Sequence, residues 1–296
     1  MEWLINMNNA ICYIERNLAG KVSYEHAAQV ACSSTYHFTR MFSYITGVPL
    51  SEYIRRRRLT LAALDLQTSD IKVIDVAAKY GYDSPEAFSR AFKKLHGVMP
   101  ISAREVGVQL KTFPKMTLHI KIKGDTEMIY RIEEKDAFEV FGIELRTTVI
   151  DGKCFEEIPQ FAVQCMEDGR YAALLKAAGK GEDGISDVGV TYGHNPNGNM
   201  NYLMGCFKTS ESIPSIYTVL SAPKQTWAVF AVDQSSNDED TNMHNIHETW
   251  RRIYSEWFPT VSYEHTETGF DFEWYLGDNE SGYGVEIWIP VVKNLV

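Results

Sequence analysis

Apolar residues recur every three or four positions over the first 107 residues, and every second position over much of the remainder. The first spacing predicts helices and the second predicts strands. The chain opens with "MEWLINMNNAICYIERNL", which puts Trp3, Met7, Ala10, Ile11, Ile14 and Leu18 on one helical face. Further helices are predicted at "YEHAAQVACS", "TYHFTRMF", "LSEYIRRRRLTLAALDLQ", "KVIDVAAKYGY" and residues 85–95, with Gly and Pro falling between them. From about Gln109 the texture changes. "LKTFPKMTLHIKIKG" alternates from Met116 to Ile122 and stops at Gly124-Asp125, so 108–124 is expected to be a linker or a first strand. Beyond it, "AFEVFGIEL", "SIYTVLS", "TWAVFAV", "FDFEWYLG" and "YGVEIWIPVV" read as strands. "FEEIPQFAVQCMEDGRYAALLKAAG" and "MHNIHETWRRIYSEWF" read as helices. The expected architecture is an all-α domain over 1–107 and an α+β domain over 125–296.

Both parts repeat internally. A shift of fifty carries Ala27-Ala28 onto Ala77-Ala78, Phe38 onto Phe88, Arg40 onto Arg90 and Gly47-Val48 onto Gly97-Val98. A fainter shift of eighty-nine carries Phe138 onto Trp227, Val140-Phe141 onto Val229-Phe230 and Phe161 onto Trp250. Each copy of the first repeat has the layout of a helix-turn-helix. In the second copy Gly81 permits the turn, Asp83 or Ser84 can cap the next helix, and Pro85 suits its first turn. That helix is expected to bury Phe88 and Phe92 and to expose Glu86, Ser89, Arg90 and Lys93. The first copy is expected to bury Phe38, Met41 and Phe42 and to expose Tyr36, His37, Thr39 and Arg40. The second helix of such a unit enters the major groove, where an arginine can donate two bonds to guanine, worth roughly 1–3 kcal/mol of base discrimination. Two such helices need about 34 Å between them to read one face of a duplex, and the arginine-rich helix between them can act as the spacer. The alternative is a small helical bundle with solvated Arg and Lys. Arg55–Arg58 point all round their helix, so some are expected to pair with acids and some to face phosphate.

Charge divides the chain as the periodicity does. Net charge is −10, but residues 1–124 hold 17 basic and 10 acidic side chains, whereas the remainder holds 12 and 29. The basic part suits a polyanion and the acidic part would be repelled by one. Five scattered cysteines with no CxxC pair argue against a disulfide framework or a structural zinc site, and for a cytoplasmic protein. No apolar run is long enough to cross a bilayer, and the start lacks the layout of a signal peptide. No Gly-rich phosphate loop and no GxSxG is present, and His194, His244, His247 and His265 have no metal-ligand spacing. No cofactor is expected.

In the acidic part, alternation puts Asp271, Glu273 and Tyr275 on one face of their strand, and Glu286 and Trp288 on one face of the last. If the faces carrying Glu273, Tyr275 and Trp288 meet, they form a carboxylate between aromatic walls. Such a site favours a lipophilic cation, at roughly 0.5–2 kcal/mol per ring. The alternative is a solvated sheet face. Trp250, Ile253, Tyr254 and Trp257 lie on one helical stripe, for which core packing is expected.

"YHFTRMFSYITGVPLSEYIRRRRL" and "VAAKYGYDSPEAFSRAFKKLHGVMPISARE" resemble the double helix-turn-helix of AraC/XylS-family transcription regulators over about residues 5–107. The resemblance implies base-reading positions at Tyr36, Thr39 and Arg40, and at Glu86, Ser89 and Arg90. Glu86 can accept from cytosine or hold Arg90. "TWAVFAV", "ETWRRIYSEWFPTVSYEHTETGFDFEWYLG" and "YGVEIWIPV" resemble the GyrI-like effector-binding domain over about 126–295. This second resemblance implies a duplicated βαββ fold of the Rob-like arrangement, with a central pocket whose acidic residue falls on Glu273. Together they imply an effector-controlled, multidrug-sensing transcription regulator, an activator rather than an enzyme. Its implied partners are promoter DNA, a small molecule and RNA polymerase. The competing readings are a hydrolase with Glu273 as general base, and a DNA-binding protein whose second part docks a protein partner.

Overall fold

The computed structural model describes residues 2–119, 127–150, 153–181, 184–195, 197–210, 212–232, 239–266, 268–279 and 282–293. The chain divides into two units: Met1–Phe38 with Leu50–Lys121, and Thr39–Pro49 with Ile122–Val296.

The first unit is helical, with α1 (Glu2–Arg16), α2 (Tyr24–Val30), the start of α3 (Thr35–Thr46), α4 (Leu50–Thr68), α5 (Val73–Lys79) and α6 (Pro85–His96). The turn from α5 to α6 follows from local chemistry. Gly81 takes φ +76°, a left-handed conformation that costs glycine nothing. Ser84 caps α6 by accepting from the Ala87 amide at 3.1 Å, and Pro85 occupies the first turn. Phe88 and Phe92 then pack with Leu59, Ala62, Leu66, Val76 and Ala77 in one core. The α2–α3 turn places Cys32 at φ +53°, where no glycine relieves the strain. Cys32→Gly is expected to raise stability by about 1 kcal/mol in urea unfolding followed by helical circular dichroism.

The four arginines of α4 all have protein partners. Arg55 and Arg56 pair with Glu52. Arg57 pairs with Glu15 and donates to the Phe113 carbonyl, and Arg58 donates to the carbonyls of Leu18 and Gly20. They staple the bundle, and the expected pairing of some of them with acids is met by Arg55, Arg56 and Arg57. Residues 108–119 form neither helix nor strand. The Met116 amide donates to the Tyr53 hydroxyl, and Leu118 exchanges two hydrogen bonds with the Asn8 side chain. The expected alternation from Met116 to Ile122 therefore gives a strap over α1 and α4 as far as 119, and positions 120–126 lie outside the described residues.

The second unit is built on one antiparallel sheet. Its strands are β1 (Tyr130–Lys135), β2 (Phe138–Thr148), β3 (Val188–Tyr192), β4 (Asn199–Phe207), β5 (Thr218–Ala222), β6 (Gln225–Val232), β7 (Tyr263–His265), β8 (Asp271–Asn279) and β9 (Gly282–Lys293). The order is β1-β6-β9-β8-β3-β4-β2-β5, with β7 on β9. Helices α7 (Lys153–Glu167) and α8 (Arg170–Ala177) follow β2, and α9 (Glu239–Arg252) follows β6 and runs into a π-helical turn at Ile253–Trp257. Two βαββ halves result, joined where β3 pairs with β8. The leading strand of each half pairs with the other half, β1 with β6 and β5 with β2. This is the duplicated fold that the eighty-nine-residue shift implies: Val140 and Val229 share a core cluster, as do Trp227 and its counterpart Phe138 at the margin. One sheet face carries Phe272, Trp227 and Trp288. The other carries Phe141, Tyr202 and Met204 against α7 and α8.

Candidate functional site

The candidate residues fall into two groups of side chains. The first is on α6. Its amphipathic spacing turns Phe88 and Phe92 inward, leaving Glu86, Arg90 and Lys93 exposed and Ser89 half-buried. Tyr36 and Thr39 on α3 are half-buried.

Arg40 differs from its counterpart Arg90. Helical spacing predicts an exposed face for it and for His37, but both are buried, at 5% and 2% exposure. Residues 39–49 belong to the second unit, and there the Arg40 guanidinium forms an ion pair with Asp271 and donates to the Tyr254 hydroxyl at 3.1 Å. Asp271 also bonds His265 Nε2. Burial alone would raise the Asp271 carboxyl, but the Arg40 and His265 charges outweigh it and hold the group below its ordinary value.

The second group lines a cavity of about 420 Å³ on the α7 and α9 side of the sheet. Aromatic and aliphatic side chains form most of its wall, among them Tyr44, Ile158, Met200, Tyr202 and Trp250. Alternation along β8 aims Glu273 and Tyr275 into it. Glu273 accepts from Trp250 Nε1 at 2.8 Å and from the Tyr275 hydroxyl at 2.7 Å. Burial raises its carboxyl above the ordinary value, and these two bonds only partly offset that. Gly189 lies opposite Glu273 on β3, where a Cβ would stand 2.8 Å from the Tyr202 hydroxyl and 3.2 Å from that of Tyr275. Tyr44 closes the wall, stacked on Tyr254 with centroids 4.3 Å apart and on Trp250 at 5.7 Å.

Trp288 is not part of this wall. In the β8–β9 register Trp288 is the partner of Phe272, and Ile287 is the partner of Glu273. Directly paired residues share a face, so Trp288 sits on the opposite side of the sheet. There its ring stacks with Phe272 at 5.5 Å, and Lys135 Nζ lies 5.2 Å from its centroid. Trp250 takes the place in the cavity instead, although its helical stripe predicts core packing with Ile253, Tyr254 and Trp257. Its only sequence signal is the indole donor at the polar edge of an apolar stripe. Among the described residues no group of three or more His, Cys, Asp or Glu could hold a metal ion, and no helix is long and apolar enough to cross a membrane.

Two family models match different parts of the chain. The model of the integron-associated effector binding protein family matches residues 131–291, and a helix-turn-helix domain model matches residues 27–105. A 94-residue stretch is 42% identical to the HTH-type transcriptional activator AarP of Providencia stuartii, covering 32% of this chain and 70% of AarP. A stretch of the same length is 34% identical to the transcriptional regulator Rob of Salmonella typhimurium, covering 32% of each chain. The solved structure of SAV2435 bound to tetraphenylphosphonium covers 56% of this chain and 94% of its own, but at 18% identity and a TM-score of 0.44 the likeness is too slight to inform function. A DNA-binding helix-turn-helix joined to an effector-binding domain defines a transcription regulator under effector control. The chain belongs to the integron-associated effector binding protein family through its second part, and its first part is an AraC-type DNA-binding domain.

Proposed function

We propose that the effector is a lipophilic monocation, bound in the cavity of the second unit with Glu273 as its anchor and Tyr275 and Trp250 as its aromatic neighbours. The observation that carries this reading is a carboxylate on an apolar wall. Glu273 is the one Asp or Glu among the described residues that line the cavity. Its raised pKa means that an empty cavity disfavours its charge, whereas an incoming cation stabilises that charge. A neutral ligand of equal size gains nothing from it. Titration of the full-length chain with rhodamine 6G, followed by tryptophan quenching, tests this. The cation is expected to bind, and a neutral ring system of the same size is expected to bind far more weakly. Equal affinities would refute the reading.

The protein acts in the cytoplasm as a sensor rather than an enzyme, and as an activator that recruits RNA polymerase. Likeness of its first part to the activator AarP supports the last point. Base reading falls to Glu86, Ser89, Arg90 and Lys93 on α6, and to Tyr36, Thr39 and Arg40 on α3 once Arg40 is freed from its ion pair with Asp271. Arg90→Ala is expected to weaken binding to a duplex enriched from a random pool by about 10-fold, and binding to unselected DNA by much less. Equal losses in gel-shift titrations would remove Arg90 from base readout.

A further inference from the structure

Arg40 occupies a base-reading position of α3, yet its guanidinium is buried against Asp271. Tyr44 lies one helical turn further on and lines the cavity. Asp271 and Glu273, two residues apart, share a face of β8. The partner of the arginine and the anchor of the cavity are thus neighbours on one strand, while the arginine and a ring of the cavity wall are neighbours on one helix.

We propose that this arrangement is the switch: Asp271 withholds Arg40 from DNA while the cavity is empty, and a cation that displaces Tyr44 from Trp250 and Tyr254 releases it. The proposal rests on the cationic-effector reading above. A ligand shifts an equilibrium only by its differential affinity for the two states. Here the difference has a source. A planar aromatic cation competes for the ring faces that Tyr44 covers, and it brings Glu273 a charge that Tyr44 lacks. Arg40 in turn cannot donate to Asp271 and to a guanine at the same time. The empty protein therefore reads DNA through α6 alone, and the loaded protein reads through α3 and α6.

Selection of duplexes from a random pool by the full-length chain tests the switch. It is run on the wild type, on the wild type with rhodamine 6G, on Asp271→Asn and on Asp271→Asn with Arg40→Ala. The wild type alone is expected to enrich one block of bases. Rhodamine 6G and Asp271→Asn are each expected to add a second block about 10 base pairs away, and to tighten binding of the two-block duplex roughly 5–150-fold. The double variant is expected to lose the added block. Identical motifs and affinities for the wild type and Asp271→Asn would overturn the proposal. Should Asp271→Asn fail to fold, Tyr44→Ala approaches the switch from the cavity side, and it too is expected to gain the second block without dye; no gain there overturns the proposal equally. If the dye leaves the wild-type motif unchanged while Asp271→Asn still adds the block, the latch stands and the cationic-effector reading fails.

Discussion

Replacing Glu273 by glutamine is expected to weaken rhodamine 6G binding by about 30–150-fold. Glutamine keeps the size of the side chain and an oxygen for the Trp250 indole, so the variant removes charge and little else. Two unit charges about 4 Å apart attract by roughly 4 kcal/mol at an effective dielectric of 20. Part of that is spent in ionising a carboxyl that burial has made a weaker acid, which leaves about 2–3 kcal/mol, equivalent to that loss of affinity. The pH dependence follows from the same charge. Below the raised Glu273 pKa, which lies above the ordinary 4.5, the carboxyl is protonated and the wild type loses affinity. The Gln variant shows no such slope. Binding near that pH expels a proton, which calorimetry in buffers of differing ionisation enthalpy detects. Stability follows with the opposite sign: the folded chain holds the Glu273 proton more tightly than the unfolded chain, so this contribution is present at low pH and is lost as pH rises through the folded pKa. Equal losses of cationic and neutral ligands in Glu273→Gln would show that the carboxylate is not the anchor.

Arg40→Ala is expected to destabilise the second unit by about 3 kcal/mol, at the lower end of the cost of stranding one member of a buried ion pair, because His265 still bonds Asp271. Five of the six tryptophans, all except Trp3, lie at or beyond position 227, so fluorescence-detected urea unfolding reports this unit. In the wild type the Asp271 carboxyl is held below its ordinary 3.8. It contributes stability above the unfolded-state value, lost as pH falls through the folded one. Without Arg40 that contribution goes, and the deficit is expected to shrink as pH falls toward 4 and the carboxyl takes up a proton. Adding Asp271→Asn is expected to restore most of the loss. A single variant as stable as the wild type at neutral pH would place the guanidinium outside the ion pair.

How far the sequence carried the fold depended on which contacts a periodicity can see. Phe38, Met41 and Phe42 mark one buried face of α3, and that face was legible. The burial of Arg40 was not, because its partner Asp271 lies 231 positions away on a strand, and helical spacing reports only whether a face is apolar. Alternation along β8 and β9 correctly grouped Glu273 with Tyr275, and Glu286 with Trp288, within each strand. It carries no information on phase between strands, so it put Trp288 beside Glu273 when the register pairs Trp288 with Phe272. Strand β4 escaped notice because "NMNYLMGCF" is buried on both faces over most of its length and shows no alternation. Strand β1 was hidden by the opposite cause, since "YRIEEK" is an exposed edge rich in charge. The caps and turns of α5 and α6 were legible because their causes are local: a serine, a proline and a glycine within five residues.

The hydrogen atom that serves as the side chain of Gly189 has a consequence for inheritance. Its position is where the hydroxyl ends of Tyr202 and Tyr275 find room. A glycine codon reaches alanine or valine by a single base change, and each would force those phenols to shift. Descendants of this gene therefore have a one-step path to a remodelled cavity wall, with Glu273 and α6 left as they are.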